Sequence, residues 1–207
     1  MKPPYPSDAA PFHFDDSEGA GDWARRLGLG GLGMAVFLVS LSVLFIASLV
    51  GYLLVRYSLP GGATKTGISV PVILWVSSAI LALSAVTMHV AYTAARRGHL
   101  PRLRIGLAAT MLLGVAFTGV QVPALITLLK AHAENRHTGL SGLAFCLIVL
   151  HAAHVIGGLV CLAWLTRRAL NAAGPIPTPA SVRLAAAYWH FLELVWLALF
   201  GTFILTA

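Results

Sequence analysis

The chain has 207 residues, 58% of them hydrophobic and only 10% charged, with a mean hydropathy of +0.83. A water-soluble domain carries about 25% charged residues, so this composition excludes one and specifies an integral membrane protein. The formal net charge of +7 does not mark a nucleic-acid binder, because the arginines and lysines flank apolar runs instead of forming a stripe interleaved with aromatics.

In lipid every backbone N–H and C=O must be satisfied within the protein, which leaves helices and closed barrels. Barrel strands read as alternating segments of ~10 residues, whereas the apolar runs here are continuous. The expected fold class is all-α, a polytopic membrane bundle of five transmembrane helices. Residues 1–26 read as a polar tail, rich in proline (Pro3, Pro4, Pro6, Pro11) and in acid (Asp15, Asp16, Glu18, Asp22). The tail lacks the apolar stretch of a signal peptide and is expected to be extended. Residues 27–207 read as one five-helix transmembrane domain.

The first span covers about residues 28–57. Its Gly28, Gly30, Gly31 and Gly33 suit close helix approach, and Arg56 closes it. Leu59-Pro60-Gly61-Gly62 breaks the chain. The second span, about 69–95, has Pro71 in its first turn. Its Ser77, Ser78, Ser84 and Thr87 can bond to their own backbone or join helices. His89, alone toward the far end, fits a structural or interfacial histidine better than a ligand. After a Gly98–Pro101 loop the third span covers about 103–130, interrupted by Gln121 and Pro123. The fourth, about 140–166, ends at Arg167 and Arg168. A stiff linker, Gly174 to Pro179, leads to the fifth span, about 181–206, with Ser181 as its expected N-cap. Cys146 and Cys161 lie about 22 Å apart along one helix, too far for a disulfide.

Ten cations (Lys2, Arg25, Arg26, Arg96, Arg97, Arg102, Arg104, Arg167, Arg168, Arg183) fall on the side of the N-terminus. Four (Arg56, Lys65, Lys130, Arg136) fall on the other. The positive-inside rule then puts the N-terminus inside and the C-terminus outside.

Two polar pairs stand out inside the last two spans: His151 and His154, then His190 and Glu193. Each pair is spaced three apart, hence on one helix face, and lies roughly 15 Å into its span. Apart from Glu193, no carboxylate falls inside an apolar run. An ionised carboxylate there costs about 2.5–3.5 kcal/mol. Glu193 is therefore expected to be neutral or hydrogen-bonded to a histidine or tyrosine. Three readings compete: helix–helix joining, the common task of intramembrane polar side chains; a proton or ion path; and a metal site. Bundles do build metal sites from Glu-x-x-His pairs, but here the order is His-x-x-Glu with a single acid. No phosphate loop, nucleophile elbow or His-Glu-x-x-His motif appears.

The stretch Phe145 through His151-Ala152-Ala153-His154-Val155-Ile156-Gly157-Gly158 resembles the His-x-x-His-Val-x-x-Gly helix of subunit III of haem–copper oxidases. Tyr188-Trp189-His190-Phe191-Leu192-Glu193-Leu194-Val195-Trp196 resembles that family's last helix, Tyr-Trp-His-Phe-Val-Asp-x-Val-Trp, with Glu for Asp. Leu32-Gly33-Met34 with Phe37, Ser84 to Ala94, and Phe117 with Gln121 resemble its other helices. The resemblance implies the five-helix form, lacking the first two helices of longer members. It implies a non-catalytic accessory subunit of a terminal oxidase in aerobic respiratory electron transport, in a prokaryotic inner membrane. The implied partners are the catalytic haem–copper subunit I, other oxidase subunits and membrane lipids, with no nucleic acid. No cofactor is expected in this chain; haem and copper belong to the partner, and phospholipid is an expected contact. The resemblance also implies protection of the catalytic subunit during turnover and help with proton uptake. Where the family usually has Ser-Glu-Val, Ser40 is followed by Leu41, and Gln121-Val122-Pro123-Ala124 lacks the acid of its Gln-x-x-Glu. Glu193 is then the one intramembrane acid left for proton handling. The alternatives are a nitric oxide reductase accessory protein of the same family, or a free-standing membrane enzyme or transporter built on His151, His154, His190 and Glu193.

Overall fold

The structure, a computed structural model, describes residues 29–58, 72–134, 139–171 and 176–206. Among these residues there are five helices and no strand: α1 Leu29–Ser58, α2 Val72–Arg96, α3 Leu100–Glu134, α4 Gly139–Leu170 and α5 Pro179–Thr206. All five are long and apolar enough to cross a membrane. The acidic tail, the Leu59–Gly62 break, Pro71 and the Gly174-Pro175 part of the linker lie outside the described residues. By its contacts the chain divides into Met1–Phe37 and Leu38–Ala207. Of the first unit the described part is the opening of α1; the packing below is that of the second.

Each helix buries one narrow stripe. On α2 it reads Ser77, Leu81, Ser84, Met88, Ala91, Ala95, at alternating spacings of four and three. On α3 it reads Leu103, Leu107, Thr110, Gly114, Phe117. Such spacing keeps one seam of a helix against its neighbours. α3 packs between α2 and α4, and α5 packs against the same two, so α2 to α5 close a four-helix ring. α1 joins through large side chains: Phe45 and Tyr52 meet Leu147 of α4 and Val195 and Leu199 of α5. Large apolar side chains such as Leu112 and Ile105 point outward, as lipid permits and water would not.

Since lipid tails are as apolar as leucine, helix association here depends on van der Waals packing and polar contacts. Close packing is made by glycines, of which Gly106 and Gly114 had not been singled out from the sequence and Gly158 only as part of a motif. A Cβ on Gly106 would stand 2.9 Å from that of Ala91, and one on Gly114 would stand 2.7 Å from Cη2 of Trp189. Gly158 likewise lies under Leu192, Tyr188 and Trp189. These absent side chains let α3 approach α2 and let the Trp189 indole lie between α3 and α4.

Three local expectations are corrected. The turn between α2 and α3 is shorter than the sequence suggests: Gly98, at φ +69°, reverses the chain, His99 N–H donates to Ala94 O, and α3 starts at Leu100. Glycine is favoured there because a Cβ is strained at positive φ, and Pro101 fits a first helical turn. Pro123 does not interrupt α3, which continues to Glu134. The cap of α5 is Thr178 and not Ser181: Thr178 Oγ1 accepts from Ser181 N–H at 3.3 Å, and Pro179 takes the first helical position. Arg104, read from sequence as a topology signal, also caps α4, its Nε–H donating to Ala169 O at 2.6 Å. A cation at a helix C-terminus satisfies an orphan carbonyl and suits the dipole.

Candidate functional site

The polar centre is built on α5. Trp189, Glu193, Trp196 and Phe200 recur at spacings of four, three and four, so they share one stripe. Across from it lies the serine-rich stripe of α2. Glu193, 8% exposed, receives a hydrogen bond from Ser84 Oγ to Oε1 at 3.1 Å. It receives a second to Oε2 from His190 Nδ1–H at 2.8 Å. Trp189 Nε1–H donates to the same Ser84 Oγ at 3.1 Å. The Ser84 hydroxyl also lies 2.8 Å from Leu81 O of its own helix, so its single proton serves two acceptors.

The linkage extends along α2 in both directions. Thr87 and Thr110 share a hydrogen bond of 2.9 Å that ties α2 to α3. On the other side Trp196 Nε1–H donates to Ser78 Oγ at 3.1 Å, and Gln121 Nε2–H to Ser77 Oγ at 2.7 Å. Hydroxyls at Ser77, Ser78, Ser84 and Thr87 thus accept from or bond to α3 and α5 while donating to carbonyls of their own helix. Hydroxyls that bond back to their own turn remain available as acceptors, which is why α2 can serve two neighbours at once.

The four sequence-selected side chains do not form one hydrogen-bonded set. His190 and Glu193 are joined directly. His154 turns to its own helix, Nδ1–H donating to Leu150 O at 2.7 Å, and its backbone carbonyl accepts from Tyr188 Oη–H at 3.0 Å. His151 is 5% exposed, and neither ring nitrogen has a hydrogen-bond partner among the described residues. Its ring stacks on Trp196, with centroids 6.0 Å apart and planes at 28°, and meets the edge of Phe45 at 6.2 Å. Phe45 also packs against His154 at 5.6 Å, so α1 contributes one aromatic ring to both histidines of α4. Among the described residues no three His, Cys, Asp or Glu side chains converge as a metal-ligand set.

Sequence reading missed Ser84 as the partner of Glu193, and the indoles of Trp189 and Trp196 as donors. The stripe of Trp, Glu and Trp on α5 was visible as a pattern. Which helix it faces was not, because every other helix carries some hydroxyl.

Five membrane-capable helices, a closed ring of four, and an intramembrane carboxylate held by a serine and a histidine define a multi-pass helical membrane protein whose polar groups join its helices. The comparisons with known proteins then give the family. The family model of cytochrome c oxidase subunit III matches residues 16–206, and the chain belongs to that family. It is 30% identical over 174 residues to cytochrome bo(3) ubiquinol oxidase subunit 3 of Pseudomonas aeruginosa, covering 81% of this chain and 80% of that one. It is 25% identical over 170 residues to quinol oxidase subunit 3 of Bacillus subtilis, covering 82% and 83%. To cytochrome c oxidase subunit 3 of Alkalihalophilus pseudofirmus it is 26% identical over 191 residues, covering 90% and 93%.

Proposed function

We propose that this chain is the non-catalytic subunit III of a haem–copper terminal oxidase in a prokaryotic inner membrane, with its N-terminus inside. It packs on the catalytic subunit, which holds the haems and copper, and stabilises it during aerobic respiration. The observation that carries this reading is the family match over residues 16–206, which includes all five helices. The names of the relatives cover both quinol and cytochrome c oxidases; they favour an oxidase over a nitric oxide reductase.

The geometry supports a joining role for the polar centre. Glu193 and His190 hold each other, and Glu193 reaches α2 through Ser84. His154 bonds to its own helix. The ten-to-four distribution of cations supports the orientation. Phospholipid is expected against the outward leucines and valines, and the arginine rim suits anionic headgroups.

The test is purification of the tagged full chain from its own membranes in mild detergent. Co-purification of a larger subunit with bound haem and copper, active in oxygen reduction, is the expected result. Its haem spectrum and its preference for quinol or cytochrome c identify the electron donor. Recovery without any redox subunit, or stoichiometric haem or metal on the isolated chain, would overturn the reading.

A further inference from the structure

We propose that the outward face of α5 around His190 is a docking surface for a transmembrane helix of another subunit, one that presents a hydrogen-bonding side chain at mid-membrane depth. This rests on the reading of the chain as one subunit of a complex. His190 lies about 16 Å from the start of α5 at 1.5 Å per residue, within the span Pro179–Thr202. Its side chain is 39% exposed although its Nδ1–H is held by Glu193. The ring is therefore anchored on one side and open on the other, with Nε2 as its second polar atom.

Hydrocarbon tails cannot satisfy a polar atom at that depth. Headgroups begin about 15 Å from the midplane, too far to reach it. The surrounding surface fits a helix. Ala187, Leu194, Leu197 and Ala198 are exposed on the same side of α5 as His190, and small residues beside larger ones let a backbone come close. Leu194 and Ala198 also border a groove of about 260 Å³ between α5 and α1, whose α1 wall includes Ser42, Phe45, Ile46 and Leu49. A bulky apolar side chain entering that groove would sit one helical turn from His190. A second copy of this chain is a poorer fit, because its matching face would set His190 against His190, each already bonded to its own Glu193. The occupant is therefore a helix of a different subunit bearing a carboxylic, amide or hydroxyl group opposite His190.

The test places a benzophenone amino acid at Leu194, 66% exposed, in the full chain in native membranes, followed by illumination, purification and mass-spectrometric mapping. The expected result is a crosslink to the middle of a transmembrane segment of a co-purifying haem-bearing subunit. In parallel, Leu194→Trp lowers recovery of that subunit roughly tenfold. Leu112→Trp, on an outward position of α3 that is 72% exposed, leaves recovery within about twofold. His190→Phe lowers it more than His190→Gln, which keeps a polar group. Crosslinks only to lipid or to a second copy, with the complex recovered, would overturn the docking surface alone. So would Leu194→Trp falling no further than Leu112→Trp. Failure of the unaltered chain to bring down any redox subunit would instead overturn the subunit reading on which the surface rests.

Discussion

Ser84 is the hinge of the polar centre, and removing its hydroxyl tests the whole arrangement. Ser84→Ala deletes the acceptor of Trp189 Nε1–H and the donor to Glu193 Oε1, both at 3.1 Å. Ser84 is fully buried, and Trp189 is 3% exposed, so neither partner gains a replacement from outside. Intramembrane hydrogen bonds average about 0.6 kcal/mol and reach about 1.7. Two such losses give roughly 1–3 kcal/mol of destabilisation, toward the upper end if the buried groups stay orphaned. Ser78→Ala, which removes the single acceptor of Trp196 Nε1–H, should lose about half as much. Ser48→Ala, whose hydroxyl bonds among the described residues only to Leu44 O on its own helix, should stay within about 0.5 kcal/mol. The measurement is reversible unfolding of the chain in mixed detergent micelles. The double variant with Trp189→Phe should show a coupling of at least about 0.5 kcal/mol. An effect of Ser84→Ala no larger than that of Ser48→Ala, or full additivity with Trp189→Phe, would refute the linkage.

Other expectations concern packing, capping and the unpartnered histidine. Gly114→Val drives a side chain into the Trp189 indole and should destabilise by about 1–3 kcal/mol in the same unfolding assay. Gly119→Ala, with no atom within 4 Å of the new Cβ, should be neutral or slightly stabilising through helix propensity. Thr178→Ala should cost about 1 kcal/mol by removing the α5 cap, and Thr178→Ser should recover most of it. His151→Phe preserves the stack on Trp196 and removes two ring nitrogens that have no hydrogen-bond partner among the described residues. Equal or higher thermal stability and unchanged oxygen consumption by the complex are expected. Lost turnover with intact assembly would show that those nitrogens take part in proton movement.

The five helices were legible because lipid demands continuous apolar runs, and five helices long and apolar enough to cross a membrane are present among the described residues. Where ends differed, the reason was local chemistry that pattern reading weighs poorly. The positive φ of Gly98 shortens the second turn, and Thr178 outcompetes Ser181 as a cap because Pro179 already suits the first helical position. The family motifs were legible as strings of residue types. The pairing of His190 with Glu193 was legible from their spacing. The second partner of Glu193 was not: a histidine or tyrosine was expected, while the ring of helices offers Ser84 of α2 across the bundle.

Read without its fold, the chain already specifies membrane-crossing helices, one intramembrane acid on the last of them, and the family that its last two helices resemble. Those properties follow from hydropathy, periodicity and order along the chain. It takes the packed bundle to show that Glu193 is held by Ser84, that Trp189 and Trp196 donate to α2, and that His151 lies stacked without a hydrogen-bond partner among the described residues. The bundle also shows that His190 opens outward. The physical reason is the same in each case. A helix presents several faces to several neighbours, and the choice among similar hydroxyl-bearing partners is made by how closely backbones can approach at Gly106, Gly114 and Gly158, a property of the packed ring and not of any one segment.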